Sequence, residues 1–185
     1  TYSSPYSAYM KTPFIDIMSF SPERFLSYDN SIVETKPIKG TRPVLDDEEA
    51  NLKVIQELSS SYKEKAENLM IVDLLRNDIG KNCAYGSVKV TKLFDIETFA
   101  NVHHLVSTIQ GKISSTSDIF KLIKGCFPGG SITGAPKIRA MQIINELEPD
   151  NRGIYCGSIG YISSNGNTDL NIAIRTVAAT KDKIF

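Results

Sequence analysis

Residues 47–78 have the periodicity of a long helix, and this helix constrains the fold of the rest of the chain. Apolar side chains recur at spacings of three and four residues, at Leu52, Ile55, Leu58, Tyr62, Ala66 and Leu69. Asp46 and Glu49 have the spacing of a capping box at the start of this run, and Gly80 suits a position just after its end. The pattern predicts one long amphipathic helix over about 47–78, whose apolar face must be buried against another layer.

Short segments with the pattern of β-strands flank that helix on both sides. They cover residues 13–20, 24–28, 32–34, 86–94, 104–110, 155–163 and 169–179. Shorter helices are predicted over 117–124 and 135–147, and the prolines and glycine of residues 37–43 predict an ordered loop. Because the strands form hairpins around separate helices, we expect one domain over residues 1–185, of the α+β class with largely antiparallel sheets.

Charge and cysteine content exclude several classes of protein. Lys plus Arg and Asp plus Glu are equal at 21 each, so the net charge is zero and no nucleic-acid partner is expected. No apolar run is long enough to cross a membrane, and no membrane partner is expected. The three cysteines form no CxxC pair, which argues against a disulfide framework or a zinc site and favours a reducing compartment, the cytoplasm.

Lys39 lies between a β-branched residue and a glycine in the segment PIKGT, residues 37–41. Gly40 would allow the backbone to approach a ligand closely. A lysine held there can act as a nucleophile if desolvation favours its neutral amine. The alternative is an ordinary surface lysine beside a turn.

Glu64 and Glu67 are three residues apart on the predicted helix and therefore share a face. Mg²⁺ prefers carboxylate oxygens and keeps several waters, so this pair can supply part of a magnesium site. A solvated acidic face, balanced by Lys63 and Lys65, is the alternative.

The glycine-rich segment PGGSITGAPK, residues 128–137, leads into the predicted helix over 135–147. Free N–H groups of the loop, the helix dipole and the hydroxyls of Ser131 and Thr133 would favour an anion there. The spacing matches neither a P-loop nor a dinucleotide fingerprint, so a carboxylate or a single phosphate is the expected ligand. A capped helix with a flexible entry loop remains the alternative.

Four other positions are weaker candidates when taken alone. Strand alternation sends His103 and His104 to opposite faces, so one of them is expected to point inward, as a core residue or as a catalyst. Arg175 is predicted in mid-strand and needs a carboxylate partner, which can come from a substrate or from the protein. Glu23 follows a Ser-Pro turn and by itself predicts nothing.

The order of seven motifs resembles the chorismate-binding family, which includes anthranilate, isochorismate, salicylate and aminodeoxychorismate synthases. The motifs are SPERF (21–25), PIKGT (37–41), AENLMIVDLLRND (66–78), HHLVS (103–107), PGGSITGAPK (128–137), YCGSIGY (155–161) and IRT (174–176). Lys39 favours the branch that aminates chorismate at C4, because anthranilate synthases typically have alanine there. Anthranilate synthase component I is the alternative activity, and a fragment that only binds a glutaminase partner is the alternative without catalysis.

The resemblance implies a role for two catalytic residues. Lys39 would attack C2 of chorismate, and Glu23 would act as the general acid for the departing 4-hydroxyl. Ammonia from a separate glutamine amidotransferase subunit would then replace Lys39 at C4. The product, 4-amino-4-deoxychorismate, would lead to 4-aminobenzoate and folate.

The resemblance also implies a cofactor and a set of substrate contacts. Mg²⁺ would be held by Glu67 and Glu64. The implied substrate-binding residues are Gly130, Ser131, Thr133, His104, Tyr155, Arg175 and Thr41. Of these, Ser131 and the loop N–H groups would face the ring carboxylate, and Tyr155 and Arg175 would bind the enolpyruvyl carboxylate.

The chain begins at Thr1 and stops at Phe185 within a predicted strand, so we expect a fragment lacking an N-terminal region and a C-terminal tail. The resemblance implies that the tail carries a second acidic pair for Mg²⁺. On that basis, residues 1–185 alone are expected to be inactive.

Overall fold

The computed structural model describes residues 4–113 and 119–185, which contain ten strands and four α-helices. The strands are β1 (Tyr6–Lys11), β2 (Asp16–Ser21), β3 (Arg24–Asp29), β4 (Ile32–Lys36), β5 (Ile38–Pro43), β6 (Lys89–Thr98), β7 (Val102–Lys112), β8 (Gly160–Ile162), β9 (Thr168–Asn171) and β10 (Thr176–Ala179). The helices are α1 (Glu48–Ser60), α2 (Tyr62–Gly80), α3 (Ile119–Cys126) and α4 (Lys137–Leu147). The first residues of the helix predicted over 117–124 lie outside the described residues.

Two antiparallel sheets organise this part of the chain. The smaller has the order β1-β2-β10, and the larger has the order β5-β7-β4-β3-β9-β8, with β6 also paired to β7. Each strand pair in the two sheets is antiparallel. The predicted α+β class with antiparallel sheets is therefore confirmed.

The core lies between the larger sheet and helices α2 and α3. Its buried side chains include Phe25, Val33, Ile71, Leu75, Ile79, Ile109, Ile113 and Leu122. Each such side chain contributes about 1.5–3 kcal/mol when it is fully removed from water. Helix α2 is thus fixed by burial of one face, and its other face is left for polar residues.

The prediction of a single helix over about 47–78 is wrong, because Ser61 separates α1 from α2. Ser61 has an extended backbone, with φ −62° and ψ 110°. Its hydroxyl accepts a hydrogen bond from the N–H of Glu64 at 3.3 Å and so caps the start of α2. Serine competes with the backbone for hydrogen bonds and favours such caps over helix interiors.

The ordered loop predicted over 37–43 is instead the strand β5, which pairs with β7. Ile38 lies opposite Val106 and Thr41 lies opposite His104, with a shift of register between these two pairs. Gly40 sits within the shift at φ +80°, a conformation that glycine adopts without strain. Lys39 and Gly40 therefore belong to an ordered strand, and the shift of register bends that strand.

The C-terminal strands are shorter than predicted. Tyr155 lies in a turn rather than a strand, since only Gly160–Ile162 of the predicted 155–163 is β-structure. Arg175 lies between β9 and β10 at φ +49°, not in mid-strand. Strand β1 was not predicted from the sequence. None of the described helices is long and apolar enough to span a membrane.

Candidate active site

Glu23, Lys39 and Ser131 meet although they come from three distant parts of the sequence. Glu23 is buried just before β3, with its backbone held by Ser21 and by Ile172. Ser131 lies in a 3-10 turn, Gly130–Ile132, and its side chain is close enough to the Glu23 carboxyl to lower the pKa of that group. Lys39 on β5 is close enough for its charge to act on the same carboxyl. An acid, an amine and a hydroxyl therefore face one region.

The carboxyl of Glu23 is tuned for proton transfer near neutral pH. Burial disfavours its charged form and raises its pKa from 4.5 to about 7. The hydrogen bond from Ser131 and the positive charge of Lys39 oppose this rise. A carboxylic acid with a pKa near 7 can donate a proton at the pH at which most enzymes work.

A second group of candidate residues lies around His104 on β7, the strand that pairs with β5. The ring nitrogen Nδ1 of His104 lies 2.8 Å from the hydroxyl of Thr41. Burial lowers the pKa of His104, and the nearby charge of Arg175 lowers it further. The imidazole is therefore held in its neutral form beside a cation.

The sequence predicts that one histidine of the pair points inward, whereas both His103 and His104 are buried in the structure. His103 is 1% exposed and His104 is 2% exposed. The ring of His103 contacts Thr98 and Asn51, each at 2.8 Å, on the side covered by α1. These contacts satisfy both of its ring nitrogens, so His103 is a core residue.

The carboxylates of α2 lie beside β5. A methyl group added at Gly40 would lie 3.1 Å from the carboxyl carbon of Glu64, so Glu64 packs directly against this strand. The Glu64 side chain is 18% exposed and lies 3.7 Å from Arg42. Glu67 is 44% exposed and lies 4.0 Å from Lys63. The acidic face thus runs from β5 toward solvent.

This face fits part of a magnesium site. No group of three or more His, Cys, Asp or Glu residues suited to a metal occurs within residues 4–113 and 119–185. The pair Glu64 and Glu67 offers carboxylate oxygens on one face, which agrees with the few protein ligands that Mg²⁺ usually takes. An ion bound there would compete with Arg42 and Lys63 for these carboxylates.

The glycine-rich loop is pressed tightly into the structure. A methyl group at Gly129 would lie 2.5 Å from Ile172, and one at Gly130 would lie 2.8 Å from Leu74. The Thr133 hydroxyl donates to the carbonyl of Gly129 at 3.0 Å. That bond stabilises the loop and leaves Ser131 as the hydroxyl directed at Glu23. The entry loop is therefore closely packed against its neighbours.

Tyr155 and Arg175 lie on neighbouring irregular segments. The N–H of Cys156 donates to the carbonyl of Ala173 at 2.9 Å, which holds the two segments together. The Tyr155 side chain is 55% exposed, and Arg175 is also exposed. Arg175 is close enough for its charge to act on His104, and Tyr155 is linked to the same region through this backbone hydrogen bond.

Sequence reasoning missed residues that hold this site in place. Arg42 binds Glu57 through two nitrogens, at 3.3 and 3.1 Å, and approaches Glu64. Lys137 and Asp78 form a largely buried ion pair beneath the glycine-rich loop. The position of Lys137 directly after GAP is a signal that could have drawn attention to it.

Comparison with known proteins gives the same family over the full chain. The family model for chorismate binding enzyme matches residues 1–185. Aminodeoxychorismate synthase component 1 from Escherichia coli strain K12 is 53% identical over 182 residues, covering 98% of this chain and 40% of the relative. The protein of the same name from Bacillus subtilis strain 168 is 46% identical over 98% of this chain and 39% of its own length.

Solved structures agree with the fold. Anthranilate synthase component I from Streptococcus pneumoniae TIGR4 superposes with a TM-score of 0.87 at 40% identity, covering 98% of this chain and 40% of that one. The menaquinone-specific isochorismate synthase from Escherichia coli has a TM-score of 0.79 at 21% identity, over 91% of this chain and 38% of its own, and supports the fold alone. The chain spans about 40% of the length of these curated relatives.

Proposed function

The chain belongs to the chorismate-binding enzyme family, and from this premise we propose that the protein containing it aminates chorismate at C4 to give 4-amino-4-deoxychorismate. The product would lead to 4-aminobenzoate and then to folate. The observation that carries the proposal is the buried Glu23 carboxyl beside Lys39 and Ser131. Relatives named aminodeoxychorismate synthase component 1, about half identical in sequence, support the same choice.

The first step uses Lys39 and Glu23 together. The neutral amine of Lys39 attacks C2 of chorismate, both ring double bonds shift, and the bond from C4 to its hydroxyl breaks. Glu23 donates a proton to that hydroxyl, so water leaves rather than hydroxide. The new C2–N bond leaves an ammonium at Lys39, which returns a proton to the Glu23 carboxylate, so the adduct is a neutral amine and Glu23 is again protonated.

The second step returns the lysine. Ammonia attacks C4, the double bonds shift back, and the bond between C2 and the Lys39 nitrogen breaks. Glu23 donates a proton to the Lys39 nitrogen as it leaves and takes a proton from the new ammonium group at C4, so both residues return to their starting forms. Two successive allylic displacements place the new nitrogen at C4.

The other residues would bind the two carboxylates of the substrate. Ser131 and the N–H groups near Gly130 face the ring carboxylate, and Thr133 keeps their loop in shape. Tyr155 and Arg175 bind the enolpyruvyl carboxylate, while Thr41 orients His104 toward the ring substituents. Glu67 and Glu64 would hold Mg²⁺, which would supply positive charge for the substrate's negatively charged groups. A glutamine amidotransferase subunit would provide the ammonia.

Anthranilate synthase is a second candidate, because a protein of that name superposes closely on this chain. In that reaction ammonia adds at C2, and no lysine nucleophile is needed. The presence of Lys39 beside Glu23 favours amination at C4.

Product analysis tests the proposal directly. The full-length protein is incubated with chorismate, ammonia and Mg²⁺, with and without a lyase that releases 4-aminobenzoate. We expect 4-aminobenzoate only when the lyase is present. Fluorescent anthranilate formed without the lyase would refute the proposal and favour the second candidate.

A further inference from the structure

The ammonium group of Lys137 lies beneath the glycine-rich loop and makes three hydrogen bonds. Its Nζ donates to the Asp78 carboxylate, to the carbonyl of Cys126 at 2.9 Å and to the carbonyl of Pro128 at 2.7 Å. An ammonium group has three N–H donors, and each has an acceptor here. The Lys137 side chain is only 13% exposed and that of Asp78 only 2%.

The acceptors connect two parts of the candidate site. Asp78 is near the end of α2, the helix that carries Glu64 and Glu67. The two carbonyls lie on either side of Phe127, directly before Gly129 and Gly130. Lys137 therefore ties the start of the loop that carries Ser131 to the helix that carries the acidic pair.

Close packing restricts the position of the glycine-rich loop. The close packing of Gly129 on Ile172 and of Gly130 on Leu74 tolerates little displacement, since even one added methyl group would overlap these neighbours. In the middle of the loop, Arg152 donates to the carbonyl of Ile132 at 3.1 Å. Two cations therefore hold the loop, and Lys137 is the more deeply buried of them.

We propose that Lys137 is a positioning residue that holds Ser131 against Glu23 by binding the loop carbonyls and Asp78. This inference rests on the proposed function for its kinetic test, but not for its structural test. Lys137 does not contact the reacting atoms, so its effect on catalysis passes through Ser131.

A double-mutant cycle in the full-length protein measures that connection. We expect Lys137→Gln to lower kcat/KM by about 10²-fold, as a misplacement of about 1 Å in a catalytic group does. In a Ser131→Ala background the same change should cost about threefold or less, because interacting residues are not additive. Arg139→Gln is the matched control, since Arg139 lies two residues further along α4 with its side chain 58% exposed. It should leave kcat/KM unchanged.

Lys137→Arg provides the second variant. It keeps the positive charge for Asp78, but its planar guanidinium cannot direct three donors as the ammonium does. We expect an intermediate loss of kcat/KM, again only when Ser131 is present. If Lys137→Gln does not fold, this variant alone decides the question. An equal loss in both backgrounds, or no loss, would overturn the inference.

Hydrogen exchange gives a test that does not depend on the reaction. The N–H of Gly134 donates to the carbonyl of Gly130 at 3.1 Å inside the loop. We expect its exchange to become at least about tenfold faster in Lys137→Gln and in Lys137→Arg, and unchanged in Arg139→Gln. Unchanged exchange in the Lys137 variants would refute the positioning role, whereas a wild-type protein that forms no 4-amino-4-deoxychorismate would refute only the proposed function.

Discussion

Glu23 is held in the protein at a cost that depends on pH. Its folded pKa of about 7 lies above its ordinary value of 4.5, so the folded state binds the proton more tightly than the unfolded state does. Its contribution to stability is therefore fully present below about pH 4.5 and is lost as the pH rises through about 7. The size of this loss is about 3 kcal/mol, from the shift in pKa.

Glu23→Gln removes that dependence and the general acid with it. The difference in free energy of unfolding between variant and wild type should favour the variant by about 3 kcal/mol more at pH 8 than at pH 4. Urea unfolding at the two pH values measures it. Catalysis should fall by about 10²–10⁴-fold, as expected for a lost general acid. A difference in stability that does not change with pH would show that Glu23 is charged in the folded state.

The proposed mechanism requires the nucleophilic nitrogen of Lys39 rather than its charge. Lys39→Ala should lower the rate of 4-amino-4-deoxychorismate formation by about 10³-fold or more, in the range seen when a nucleophile is removed. Lys39→Arg is the matched control, because it keeps a cation but not a nucleophilic amine. Both variants should be equally inactive in the coupled assay with the lyase. Substantial activity in Lys39→Arg would mean that only the charge matters.

Among the strands, β5 depends on Gly40 both for its backbone and for its packing. Gly40→Ala places a methyl group in a left-handed conformation and within 2.8 Å of Leu58. Gly86→Ala is the matched control, because Gly86 also has a positive φ, +72°, but faces open space. We expect losses in the free energy of unfolding of about 1–2 kcal/mol for Gly86→Ala and about 2–5 kcal/mol for Gly40→Ala. Equal losses would show that the contact with Leu58 and Glu64 does not matter.

Strand β5 also shows why some elements could not be predicted from the sequence. Pro37, Gly40 and Pro43 are typical of a loop, yet Pro37 lies just before β5, and β5 contains the other two because a register shift accommodates Gly40 and because β5 lies at a sheet edge. The predicted helix over 135–147 agrees with α4 to within two residues at its start. Periodicity could not locate the break at Ser61, where a local serine cap replaces one helical residue.

The candidate site was predictable to the extent that its residues stand in recognisable motifs. The order of those motifs indicated the family, and the structure brings Glu23, Lys39 and Ser131 together. The raised pKa of Glu23 was not predictable from its neighbours in sequence, because burial by distant segments is its main cause. Lys137 and Asp78 were missed for the same reason, since they are 59 residues apart in the chain.

For the protein as a whole, the chain supplies one carboxylate pair for a site that the proposal assigns to Mg²⁺. In the full-length protein, Glu67→Gln should raise the Mg²⁺ concentration needed for half-maximal activity by about tenfold or more, which corresponds to about 1.4 kcal/mol. Glu49→Gln is the matched control, because Glu49 also pairs with a lysine four residues away. A Mg²⁺ titration that is identical for wild type and Glu67→Gln would exclude Glu67 as a ligand.

The covalent step at Lys39 can be observed directly by mass spectrometry. The full-length protein is mixed with chorismate and Mg²⁺ in the absence of ammonia, quenched rapidly in acid and digested. The proposed mechanism predicts that the peptide containing Lys39 gains the mass of chorismate less one water, and that Lys39→Ala shows no such gain. A wild-type protein that forms 4-amino-4-deoxychorismate with ammonia, but never carries this adduct, would contradict the covalent mechanism.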